Sequence, residues 1–184
     1  MVRKLIFVSM LVLSLFASDQ NLTQQAKFTI TAMDGKQFHF IVTERGVQCK
    51  ECAGKVIILD FFGKHCPPCR EMIPVLGKLQ KALPNKLQII GFHVQEKLTP
   101  SDMTFLKHMG IDYPVVDMMA SNGNYDFISY IGQASGWQNS IPYMLFFDKK
   151  GQYRGHHYGI ASYESLKEAV EQLYAPTKQK KESR

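Results

Sequence analysis

Tryptophan is nearly absent from this chain, with one residue in 184, and cysteine is limited to four. No apolar run beyond residue 17 reaches the ~20 residues a bilayer span needs, which excludes an internal membrane helix. Charged residues make up 21% of the chain and show neither the blocks nor the heptads of low-complexity or coiled-coil sequences. Clustered positive charge is missing too: of the net +6, Arg3 and Lys4 supply two units and the tail 176–184 three, which leaves +1 for everything between. Binding a phosphate backbone requires Lys and Arg gathered on a folded face, so no nucleic-acid partner is expected. Apolar residues are plentiful at 45%, enough in a chain of this length for one domain with a sizeable core.

The two ends stand apart from that domain. Arg3-Lys4 followed by the apolar stretch Leu5 to Phe16 has the form of a secretory signal peptide, residues 1–17, cleaved after Ala17 or retained as an anchor. No cysteine follows the apolar run, which argues against a lipid-anchored form. Residues 18–175 are read as one domain and 176–184 as a basic, disordered tail. Outside the cytosol disulfides persist, and the four cysteines fall into two Cys-x-x-Cys pairs, Cys49/Cys52 and Cys66/Cys69.

Phe28, Ile30 and Ala32, the turn Asp34-Gly35, and Phe38, Phe40 and Val42 alternate as a β-hairpin. The run Val56 to Phe62, broken only by Asp60, suits a central strand covered on both faces. Beyond Cys66-Pro67-Pro68-Cys69, Met72, Leu76, Leu79 and Leu83 recur at helical spacing, with Pro74 inside the helix as a kink. A strand over Leu87 to Val94, a helix capped by Thr99-Pro100 and ended by Gly110, and a short strand at Tyr113 to Val116 follow. A helix around Asn124 to Ile131, a loop through Gly136-Trp137, a hairpin over Pro142–Phe147 and Gln152–Tyr158, and a helix capped by Ser162 complete the chain. This order is α/β around one sheet.

Cys66 thus stands at the junction of a strand with a helix N-terminus, where unpaired N–H groups and the helix dipole stabilise a thiolate. That placement suits Cys66 as attacking thiol and Cys69, one turn on, as the thiol that resolves the mixed disulfide. A structural disulfide and a Cys-four zinc site with Cys49/Cys52 are the alternatives; the buried strand between the pairs and the export signal speak against zinc. No metal and no cofactor is called for.

Asp60-Phe61-Phe62-Gly63-Lys64-His65-Cys66-Pro67-Pro68-Cys69-Arg70, with Pro74 five residues past the second cysteine and Ser140-Ile141-Pro142-Tyr143 ahead of a strand, resembles the thioredoxin superfamily. The leading hairpin, Gly54-Lys55 and the export signal resemble its TlpA/ResA-like exported thiol–disulfide oxidoreductases. The resemblance implies a thioredoxin fold, a central mixed sheet flanked by helices with an N-terminal β-hairpin. It also implies Cys66 as nucleophile, Cys69 as resolving thiol, Pro142 as a cis-proline facing the pair and the Ile141 backbone as a place for substrate. Asp60, six residues before Cys66, takes the part of a buried acid that accepts the Cys69 proton; a solvated strand end is the other reading. The position three residues after the second cysteine, where many members carry Glu, is Met72; the acid is Glu71, one step round the helix, and is given no buried role. His65 and Phe62 replace the usual tryptophans. His65 could stabilise the thiolate or be a solvated loop residue, and Trp137 could wall the substrate site or belong to the core.

The resemblance implies disulfide exchange with cysteine-containing proteins such as apocytochrome c in the periplasm, as a reductase recharged by a membrane thiol reductase. A disulfide-forming oxidase and a Sco-type copper chaperone are the alternatives; the two-residue spacing Pro67-Pro68 departs from the latter. Cys49 and Cys52, in the expected loop before the central strand, could form a local disulfide, a second redox pair serving Cys66/Cys69, or a metal site. His156-His157 and Met118-Met119 are read as packing or surface residues, because neighbours on a strand face opposite ways.

Overall fold

The computed structural model describes residues 25–175; the signal segment 1–17 and the basic tail 176–184 lie outside them. A five-stranded sheet in the order β6-β5-β4-β7-β8 forms the centre. Its strands are β4 (Val56–Phe62), β5 (Leu87–His93), β6 (Val115–Asp117), β7 (Tyr143–Phe147) and β8 (Tyr153–Tyr158). β4 pairs parallel to β5 and β5 to β6, whereas β7 runs antiparallel to β4 and β8 to β7. The helices are α1 (Pro67–Ala82), α2 (Pro100–His108), α3 (Asn122–Ala134) and α4 (Tyr163–Tyr174). No helix among the described residues is long and apolar enough to cross a membrane.

β4 shows why its sequence belongs at the centre. All seven residues are buried. Ile57, Leu59 and Phe61 pack into one core with α3, while Val56, Ile58 and Phe62 pack into another with α1 and α4. On α1, Met72, Ile73, Leu76 and Leu79 turn toward that second core, each fully buried apolar side chain contributing about 1.5–3 kcal/mol before the entropic cost of ordering it. The helix continues through Pro74 to Ala82.

Three elements differ from expectation. The hairpin β1 (Ala26–Thr31) and β2 (Gln37–Thr43) gains a third strand, β3 (Gly46–Cys49), where a loop was anticipated, and these strands form a sheet of their own. Four residues are too few to show an alternation. What places them is tertiary: Val47 N–H donates to the Gly151 carbonyl at 2.8 Å and Tyr153 N–H to that of Arg45 at 2.8 Å. Gly46 has φ +146°, and a Cβ there would run into the Gly151 carbonyl, so the close approach requires glycine. β6 begins at Val115 rather than Tyr113, whose ring turns into the core, and α3 extends past the expected ends at both sides.

A buried asparagine joins the two sheets. Asn124 Oδ1 accepts from Thr31 N–H at 2.9 Å, and its Nδ2 donates to the carbonyls of Thr31 at 3.1 Å and Asp117 at 2.9 Å. Asn124→Leu leaves these backbone groups dry and unpaired, so a loss of about 2–4 kcal/mol is expected. Urea unfolding of the two proteins measures it; a loss under about 1 kcal/mol would mean the backbone finds other partners.

Candidate active site

Chain order sets the first feature of the site. β4, the central strand, ends just before Gly63, the loop 63–66 turns, and Cys66 becomes the N-cap of α1. Pro67 and Pro68 occupy the first turn, where the missing N–H groups cost nothing. Cys66 and Cys69 are joined in a disulfide, with Cα atoms 5.2 Å apart. Cys66 Sγ accepts the Cys69 N–H at 3.2 Å, so the sulfur that would carry the thiolate already faces a helical donor. Cys66 is 8% exposed and Cys69 only 1%, which leaves the first sulfur as the accessible one.

Ile141-Pro142, a cis peptide, approaches from the start of β7, and Cys66 Sγ lies 3.7 Å from the Ile141 carbonyl oxygen. Gly159 N–H donates to the Pro142 carbonyl at 3.0 Å, which brings the exposed Tyr158 and Ile160 alongside the same loop. Trp137 belongs to the edge of the core: its ring sits 4.8 Å from Phe61, and its Nε1 donates to the Ser140 carbonyl at 2.8 Å.

Asp60 is buried, 1% exposed, and not a solvated strand end. By alternation along β4 it shares the face of Ile58 and Phe62, the face that α1 covers. Its Oδ2 lies 3.5 Å from the Tyr113 hydroxyl and its Oδ1 has no partner. Burial pushes the carboxyl up to about 7, against a smaller opposing pull from the Tyr113 hydroxyl. A carboxyl that can hold or release a proton at neutral pH thus lies under the cysteine-bearing helix. Met72, in contrast to the exposed Glu71, is fully buried on α1.

Sequence reasoning missed the group that holds the loop 63–66. Lys64 N–H donates to His93 Nε2 at 3.3 Å and His65 N–H to Gln95 Oε1 at 3.2 Å. Lys64 Nζ pairs with Asp102 at 2.7 Å and Glu96 at 3.0 Å, and His65 Nε2 sits 3.0 Å from Glu96. Asp102 first and Glu96 second hold the Lys64 ammonium above its usual range. His93 is fully buried at the end of β5 with Nδ1 unpaired, and burial pushes its ring below the ordinary histidine range, keeping it a neutral acceptor. A histidine closing an apolar strand carried no signal that it would face a loop thirty residues earlier. His93→Leu removes the acceptor of the Lys64 N–H, two residues before Cys66, so a several-fold slower reaction of the reduced protein with a thiol reagent is expected at unchanged helix content. An unaltered rate would show that Gln95 and the lysine bridge suffice.

Cys49 and Cys52 are also disulfide-bonded. Cys49 ends β3, Cys52 closes the 3-10 turn Lys50–Cys52, and both cysteines precede β4, whereas Cys66 follows its other end. The seven residues of β4, roughly 20 Å of extended chain, run between the pairs, a span that the alternative of electron exchange between Cys49/Cys52 and Cys66/Cys69 would have to bridge. Among the described residues no three His, Cys, Asp or Glu side chains come together as a cation site. On β8, His156 Nδ1 meets the Tyr153 hydroxyl at 3.1 Å and His157 Nε2 meets the Ile160 carbonyl at 3.2 Å, so the doublet is split between separate partners.

Residues 35–173 match the family model described as Redoxin. The chain belongs to the Redoxin family. Its similarity extends to the thioredoxin-like protein YneN of Bacillus subtilis, 25% identical over 66% of this chain and 67% of that protein. The thiol–disulfide oxidoreductase ResA of Halalkalibacterium halodurans is 27% identical over 55% of this chain, a stretch that spans 54% of ResA. A solved thiol:disulfide interchange protein of Chlorobium tepidum, of the thioredoxin family, superposes with a TM-score of 0.62 at 28% identity, covering 81% of this chain and 94% of that one. This Redoxin-family chain is a thiol–disulfide oxidoreductase with the thioredoxin fold, of the TlpA/ResA-like kind.

Proposed function

We propose that this oxidoreductase acts outside the cytoplasm as a reductase of cysteine-containing proteins, with Cys66 as nucleophile, Cys69 as resolving thiol and Asp60 as proton acceptor. The observation that carries the reading is the placement of Cys66 Sγ, on the Cys69 N–H at 3.2 Å and 3.7 Å from the Ile141 carbonyl. In the reduced protein the Cys66 thiolate attacks a substrate disulfide, forming a mixed disulfide and releasing one substrate thiolate. Substrate backbone laid along Ile141 as an added strand brings that sulfur in line. Cys69 gives its proton to Asp60 and attacks the Cys66 sulfur, releasing the second substrate thiolate and restoring the Cys66–Cys69 disulfide. The substrate gains two electrons and the protein loses them; a membrane thiol reductase would return them. The apolar stretch Leu5 to Phe16 behind Arg3-Lys4 supports export, and apocytochrome c is one protein of the substrate class.

Equilibration of the Cys66/Cys69 pair in graded thiol/disulfide buffers tests the direction. A potential near about −270 mV supports a reductase, and one near about −120 mV would replace that reading with a disulfide-forming oxidase.

A further inference from the structure

The second disulfide does little as a staple. Cys49 and Cys52 are three positions apart in sequence, and closing so short a loop removes little freedom from the unfolded chain. Both residues instead line a cleft of about 200 Å³, which Lys55, Lys149, Lys150 and the backbone of Gly151 help to wall. Cys49, 7% exposed, is the more accessible of the two, against 1% for Cys52. The lysines are spread over two loops: Lys55 precedes β4 and donates to the Pro84 carbonyl at 2.7 Å, while Lys149 lies over the Tyr174 ring at 5.1 Å. One acid is near. Glu51 Oε2 lies 3.9 Å from Cys49 Sγ, with its carboxylate engaged by the His39 ring at 2.7 Å and the His39 N–H at 2.9 Å.

We infer that Cys49–Cys52 is a second redox site, independent of Cys66–Cys69, which accepts electrons from a thiol bearing negative charge. The incoming thiolate attacks Cys49 Sγ from the cleft, and the Cys52 sulfur leaves as a thiolate and takes a proton. Cys49 rather than Cys52 takes the attack because it is the more exposed sulfur of the pair. A second thiolate then attacks the incoming thiol's sulfur in the adduct, and Cys49 leaves as a thiolate that takes a proton from water, so two thiols become one disulfide and the protein holds two new thiols. Lys149 and Lys150 draw the anionic thiol in; the roughly 20 Å of β4 keeps this exchange apart from the one at Cys66.

The test uses the full chain carrying Cys66→Ser and Cys69→Ser, so its outcome is separate from that at the first site. Glutathione, a thiol of net negative charge, is the probe, in graded reduced-to-oxidised ratios, with thiols counted by alkylation and mass. The expected result is reversible opening of Cys49–Cys52 within the buffer range at unchanged circular dichroism, and one glutathione held at Cys49 when Cys52→Ser is added. Lys149→Glu with Lys150→Glu should slow opening by glutathione about tenfold and leave uncharged 2-mercaptoethanol unaffected. Raised salt on the unaltered lysines should do the same if the charge-reversed chain does not fold. A disulfide that stays closed until the protein unfolds overturns the proposal, as does equal response of the charged and uncharged thiols.

Discussion

Cys66→Ser is expected to lower the rate of disulfide reduction by at least ~10³-fold, because among the described residues no other sulfur combines access with a helical N–H donor. Cys69→Ser should act differently. Its Cys66 still attacks, but the resolving thiol is gone, so mixed disulfides with substrate accumulate and can be isolated without reductant. Reduction of a model disulfide followed by absorbance, beside non-reducing gels of the two variants, separates these outcomes. If the two variants behave alike, with Cys69→Ser forming no adducts, the assignment of attacking and resolving thiols is wrong. Retained turnover in Cys66→Ser would move the chemistry to Cys49–Cys52.

The second large effect is expected at Asp60, where activity and stability should move in opposite directions. Asp60→Asn removes the acceptor for the Cys69 proton, and resolution at pH 7 should slow roughly 100-fold. In the parent protein the resolution rate should rise as pH passes about 7, where the buried carboxyl ionises, and the variant should lack that limb. Stability follows from the same shift. The folded carboxyl titrates at about 7 and the unfolded one near 3.8, so between these values the folded chain keeps a proton that the unfolded chain has lost. Folding stability therefore falls as pH rises from 3.8 to about 7 and levels off above, by up to about 4 kcal/mol. Asp60→Asn carries no such penalty and should be the more stable protein above pH 7. Thermal melts at pH 5 and pH 8 measure the difference; a variant less stable at pH 8 than the parent would mean that the Tyr113 contact outweighs the cost of burying the charge.

These effects rest on unequal shares of sequence and fold. The continuous apolar run of β4, the helix-start signals at Cys66 and Thr99, and the period of Met72, Leu76 and Leu79 are local patterns, and each became the element it announced. The cysteine pair at a strand-to-helix junction was legible for the same reason: a thiol and the N–H groups that tune it lie within four residues.

Groups that meet only through folding left no such trace. β3 forms because the β7–β8 turn offers its carbonyl to Val47 and because Gly46 tolerates the approach, neither of which four residues of sequence can announce. Lys64 finds His93 and Asp102, and Cys49–Cys52 finds Lys149 and Lys150, across separations that local periodicity does not span. The sequence by itself determined the α/β order, the covered central strand and the reactive pair, since these follow from patterns a few residues long. The tertiary structure decided which acid is dry, which histidine holds the loop and how far apart the two disulfides stand, because burial and dielectric belong to the packed chain and not to any segment of it.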